Sequence, residues 1–212
     1  RFPVTNTQYR RFIRETGRPG PMHKIDWAIA NYNWTGQQFR PGTADQPVVL
    51  VNRQEAAEYC RWRGARLPTE VEWEKAARGP DGQKYPWGDR WEEGACPATD
   101  SVDIPPRVGM CPQRASPYGA QEMIGGVLEW VEDFYRAYDR THLHANANEW
   151  ITTFGDVSYV LKGSPAGQAG PGTTAASRSG HADNMRAKIG FRCAMNADIN
   201  GSGAPTAPGG QK

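Results

Sequence analysis

Apolar Val71, Trp73, Ala76 and Ala77 stand among charged residues in TEVEWEKAARG, residues 69–79, a spacing that predicts an amphipathic helix. Thr69 is placed to accept from the N–H three residues on, and Glu72 to reach back to the cap's own N–H. Glu70 and Glu72 suit the positive end of the helix dipole, Lys75 and Arg78 suit the negative end, and Gly79 with Pro80 stops the helix. The same grammar occurs twice more. Thr5 with Gln8 opens a helix that ends at Gly17, and Asn52 with Glu55 opens one that runs through Tyr59 and Cys60 to Gly64.

Between these helices the pattern changes. Residues 18–46 mix Gly, Pro and aromatics as a long ordered loop would, and Val48 to Val51 form an apolar run fit for a short strand. Residues 80–121 read as loop with short strands, and 122–134 as a turn entering a strand pair. The Gly/Pro-rich stretch 196–212 has the composition of a disordered tail, one that becomes ordered by lying on another surface, so residues 1–195 are taken as the domain.

Composition narrows the field without naming a function. A chain of 212 residues that is 38% hydrophobic can bury one core, while 24 Gly and 17 Pro commit much of it to turns. A net charge of +2, with no basic run, argues against nucleic-acid binding. No apolar run approaches the roughly 18 residues of a membrane-spanning helix. The eight Trp are expected mainly as core and loop anchors, since each needs packing and a partner for its N–H.

The spelling is more specific than the pattern. RLPTEVEWEKAARG followed by YPWGD resembles the signature of the formylglycine-generating enzymes, also called sulfatase-modifying factors. PVTNTQYRRFI (3–13), PVVLVNRQEAAEYCRWRGARLP (47–68), GGVLEWVEDF (125–134) and KIGFRCA (188–194) match further family blocks in order. The resemblance implies an α+β fold, irregular and loop-rich, related to the C-type lectins, with few helices and short antiparallel strands. Members usually carry a strand before the PVTN block, and that strand is missing from this sequence.

The resemblance also implies that Cys60 and Cys193 are joined, tying the second capped helix to the last strand. Cys96 and Cys111, each followed by proline, are read as a second, local pair. No CxxC or Cys/His spacing supports a metal site. Two disulfides favour the periplasm or the cell exterior.

Active members of the family bind copper(I) through two cysteines that lie shortly after a GGS turn and oxidise a substrate cysteine. Here that stretch is LKGSPAGQAGPGTTAASRSGHADNMRAKIGFRCA, residues 161–194, and it holds no cysteine between Ser164 and Ile189. Soft thiolates hold copper(I), and Ser, Thr and Gly do not replace them, so no copper is expected and no catalytic residue carries over. Pro165 stands where relatives have Trp. His142, His144, His181 and Asp183 are the remaining candidates for a metal-dependent oxidase or oxygenase, but no third ligand is fixed by their spacing. Sulfoxide synthases related to the family use iron with histidines from a helical domain that this sequence does not contain.

Calcium is the cofactor that the resemblance keeps in play. Relatives hold it in the turn matching EMIGGVLEW, where Glu122 and Glu129 would offer carboxylates and Gly125 and Val127 carbonyls. Asp100 and Asp103 are remnants at most of a second calcium loop. The small, polar segment 163–188 suits contact with another protein chain, through Ser164, Gln168, Thr173, Thr174, Arg178, His181 and Asn184. Variable proteins of diversity-generating retroelements, which resemble this family in fold, place their ligand-binding residues in the same segment. The sequence therefore favours a non-catalytic binding or scaffold module over an enzyme.

Overall fold

The computed structural model describes residues 1–24, 26–93, 104–135, 158–165, 167–182 and 188–196. Helices α1 (Asn6–Thr16), α3 (Arg53–Trp62) and α4 (Glu70–Arg78) begin at the three expected caps. In each, the cap side chain accepts from the third helical N–H while Gln8, Glu55 or Glu72 accepts the cap's own N–H. Gly17, at φ 70°, closes α1 in the left-handed conformation that glycine adopts without strain. Gly79, also at positive φ (69°), is required for a second reason: a Cβ there would lie 2.5 Å from the Pro117 ring.

Four strands form one sheet in the order β3-β2-β1-β4. They are β1 (Leu128–Phe134), β2 (Ser158–Gly163), β3 (Arg178–Ala182) and β4 (Ile189–Phe191). The pairs β1–β2 and β2–β3 are antiparallel, but β1–β4 is parallel, Leu128 facing Ile189 and Trp130 facing Phe191. The sheet is thus mixed, where only antiparallel strands were expected.

Alternation along the two central strands divides the core. Trp130 and Leu161 face α1 and α3, where Tyr9, Phe12, Ile13, Trp34, Tyr59 and Phe191 pack. Val131 and Val160 face the other way, against Trp73 and Ala77 of α4 together with Met123 and Ala175. Tyr9 stacks on Tyr59 with ring centroids 5.6 Å apart, and Phe191 meets both rings edge-on. The Cys60–Cys193 disulfide forms, with Cα atoms 5.6 Å apart and 133 positions between them in sequence. Cys111 is also disulfide-bonded, whereas Cys96, its expected partner, lies outside the described residues.

Three expectations are corrected. Val48–Val51 is buried but is not a strand. Leu50 adopts φ 63°, which breaks the extended run; a Thr5–Pro47 bridge and a Val48 N–H to Val4 carbonyl bond of 2.9 Å lie at its start. A short helix α2 (Asp26–Asn31) interrupts the loop at 18–46. Among the described residues of 80–121 there is a 3-10 turn, Pro112–Arg114, and a Tyr85–Gly88 bridge rather than strands.

The helix that opens at Thr69 is closed by a bidentate ion pair, in which both Arg66 Nη atoms reach Glu72 at 2.6 Å. Arg66 first, with Thr69 adding to it, holds the Glu72 carboxyl at about 2. A carboxyl whose folded value is depressed stabilises the fold above its unfolded value of about 4.3, and that contribution is lost as pH falls toward 2. Because the two side chains are 38% and 42% exposed, the loss should stay under about 1 kcal/mol. Glu72→Gln is expected to flatten this part of the acid limb in urea titrations run between pH 6 and 2.

Candidate functional site

The segment that joins β2 to β3 begins the cysteine-free stretch between Ser164 and Ile189. Its start is fixed by close approach. Gly163, at φ 86°, leaves no room for a side chain, since a Cβ would lie 3.0 Å from the Val127 carbonyl and 3.1 Å from that of Met123. The next residue, Ser164, accepts the Gly125 N–H at 3.0 Å and is buried. Ser164 therefore braces the turn and is not displayed on a binding surface, contrary to expectation.

Further along, the segment is tied to the YPWGD turn. The Tyr85 hydroxyl donates to the Pro171 carbonyl at 2.6 Å, and the Ala175 N–H to the Lys84 carbonyl at 3.0 Å. Ala175 is buried against the α4 side of the core. Short-range turns fill the interval: the Thr173 hydroxyl accepts from the Gly170 N–H and the Ser177 hydroxyl from the Thr174 N–H. Gln168 is exposed, while Thr173, Thr174, Arg178 and His181 are partly so; Asn184 lies outside the described residues.

Beneath the segment runs a buried charge network. Lys162, fully enclosed in β2, donates to Glu74 at 3.0 Å and to the Ala176 carbonyl at 3.3 Å, with Glu70 4.0 Å away. Arg178 pairs with Glu70 at 2.9 Å and lies over the Tyr135 ring. Burial lowers the Lys162 pKa, with Glu74 opposing it, and burial lowers that of His181. Each partner is matched in charge, so the network fastens α4 to the sheet. Arg178 is part of this fastening as well as a surface residue.

In the turn Glu122–Glu129, where calcium is expected, Glu129 is paired with Arg192. Glu129 is completely buried, and its Oε2 accepts from Arg192 Nε at 2.6 Å and from Trp73 Nε1 at 2.9 Å. Its Oε1 accepts from Arg192 Nη2 at 2.7 Å. Glu122 accepts the Gly109 N–H on one oxygen, and its buried second oxygen has no hydrogen-bond partner among the described residues; burial, foremost, raises its pKa. A guanidinium bonded to both Glu129 oxygens leaves that carboxylate poorly disposed to take a dication, and the donor set Glu122, Gly125, Val127 and Glu129 does not fit calcium as it stands. Among the described residues no group of three or more His, Cys, Asp or Glu is placed to hold a metal ion. His142, His144, Asp100, Asp103 and Asp183 lie outside the described residues. No helix among the described residues is long and apolar enough to cross a membrane.

Sequence reasoning missed the Glu129–Arg192–Trp73 cluster and the Tyr85–Pro171 tie. Both join residues far apart in the chain, and the signals available were only the ionisable residues within otherwise apolar LEWV and GFRC runs.

Comparison with known proteins agrees with this architecture. The inactive C-alpha-formylglycine-generating enzyme 2 of Bos taurus is 30% identical over 92% of this chain and 76% of its own length. The hercynine oxygenase of Mycolicibacterium smegmatis is 38% identical over 65% of this chain, which spans only 37% of that protein. Among solved structures, PvdO from Pseudomonas aeruginosa superposes with a TM-score of 0.65 at 20% identity, covering 89% of this chain and 76% of that one. Treponema denticola variable protein 1 superposes with a TM-score of 0.59 at 18% identity, covering 90% and 81%. The sulfatase-modifying factor enzyme 1-like domain matches residues 1–197, and the chain belongs to that formylglycine-generating enzyme family.

Proposed function

We propose that this chain is a non-catalytic binding or scaffold module, an accessory subunit of a protein assembly in the periplasm or outside the cell. The observation that carries this reading is the cysteine-free segment 164–188. Where oxidative chemistry would need two thiolates, the chain has small polar residues on a loop tied down at Ser164, Pro171 and Ala175. Such a loop needs little ordering on binding, which favours a protein–protein contact. The similarity to a relative named as inactive supports it further. The Cys60–Cys193 bridge fits an oxidising compartment.

A metal-dependent oxygenase is the second reading, and the 38% identity to hercynine oxygenase is what favours it. A ligand-binding role of the variable-protein type is a further form of the binding reading, supported by fold alone.

Purification from the native source without tags tests the proposal. A complex larger than the 23.5 kDa chain is expected, and Gln168→Arg on the exposed loop should weaken association at least tenfold while leaving the melting temperature unchanged. A chain that migrates alone, with Gln168→Arg indistinguishable from it, would contradict the proposal.

A further inference from the structure

Arg192 does more than neutralise Glu129. Its Nη1 donates to the Arg1 carbonyl at 3.0 Å and its Nη2 to the Gln121 carbonyl at 2.8 Å, in addition to the two bonds to the carboxylate. The Gln121 N–H in turn donates to the Arg1 carbonyl at 2.9 Å. One cation thus gathers a carboxylate and two main-chain carbonyls from three separate segments: the stretch before α1, the turn before β1, and β1 itself. Hard oxygen donors drawn together from distant segments are also what a structural metal ion collects. Planar geometry lets the guanidinium do this with directed N–H bonds, and it carries its charge at every accessible pH. Arg192 is 7% exposed and Glu129 is fully enclosed, so the pair is shielded from salt.

We infer that Arg192 is the resident cation of the turn Glu122–Glu129, standing where a calcium ion would otherwise be held, and that this turn folds independently of calcium. A dication chelated by both Glu129 oxygens would have to displace the guanidinium and leave it buried and unpaired, and one bound to a single oxygen would lie close to a like charge in a buried site. The parallel β1–β4 pairing, which sets Glu129 opposite Gly190, brings Arg192 to this position from two residues further on.

Thermal melts of the full chain provide the test, run in EDTA and in about 5 mM calcium chloride, with Glu129→Gln and Arg192→Lys as variants. The melting temperature of the parent is expected to agree within about 1 °C in the two buffers. Any calcium-dependent rise that persists in Glu129→Gln belongs to another part of the chain and leaves the inference standing. Arg192→Lys, which keeps the charge but loses the fork, should melt several degrees lower in both buffers. A calcium-dependent rise of several degrees that disappears in Glu129→Gln would overturn the inference, whether or not Arg192→Lys folds.

Discussion

Replacing both Cys60 and Cys193 by alanine is expected to lower the unfolding free energy by about 5 kcal/mol, measured by urea denaturation. The bridge closes a loop of 133 positions, and in the chain-entropy account a loop of that size restricts the unfolded chain by about this amount. For a chain of this length the melting temperature should fall by roughly 10–20 °C. The location of the bridge reinforces the effect. Cys60 is buried in α3 among the aromatic residues, and Cys193 follows Arg192, so the bond pins the end of β4 where it carries the guanidinium. A loss below about 1 kcal/mol would show that the unfolded chain is already restricted by other means.

Trp130 should be the next most sensitive position. Its indole is fully buried on the α1/α3 side of the sheet, and Nε1 donates to the Val51 carbonyl at 3.0 Å. That bond anchors the end of the irregular segment 48–51, which is not part of the sheet. Trp130→Ala is expected to cost about 3–5 kcal/mol from the cavity, with the unpaired carbonyl adding to it. Trp130→Phe isolates the second contribution, because it keeps most of the ring volume and removes the donor; a loss of about 1–3 kcal/mol is expected. If Trp130→Phe proved as stable as the parent, the indole N–H would not be what holds segment 48–51 in place.

What was legible in the sequence was local. Thr5, Asn52 and Thr69 each announce a helix within four residues, and all three boxes form because cap and partner are held by the helix itself. The segment Val48–Val51 was misread because its composition is that of a strand, while Leu50 takes a left-handed conformation that tertiary packing imposes. Parallel pairing of β1 with β4 leaves no local trace either, since the two strands lie about 60 positions apart. The candidate site divides in the same way. The absence of cysteine from 164–188 is visible residue by residue. The partners of Glu129, namely Trp73 and Arg192, lie 56 and 63 positions away and could be assigned only once the chain was folded. Ser164 reads as a surface residue because the segment 163–188 is small and polar, yet its hydroxyl turns inward to accept the Gly125 N–H.

On the proposed reading, the family's scaffold persists here without its oxidative chemistry. The most direct test of that reading is metal content together with oxygen uptake by the purified chain, after anaerobic loading with copper(I) or iron(II) and removal of excess by a competing chelator. With no thiolate between Ser164 and Ile189 for copper(I), and no group of three or more His, Cys, Asp or Glu placed for iron(II) among the described residues, less than about a tenth of an equivalent of either metal should remain, and a cysteine-bearing peptide should not accelerate oxygen consumption. Retention of about one equivalent of redox-active copper or iron, with peptide-dependent oxygen uptake, would contradict the account.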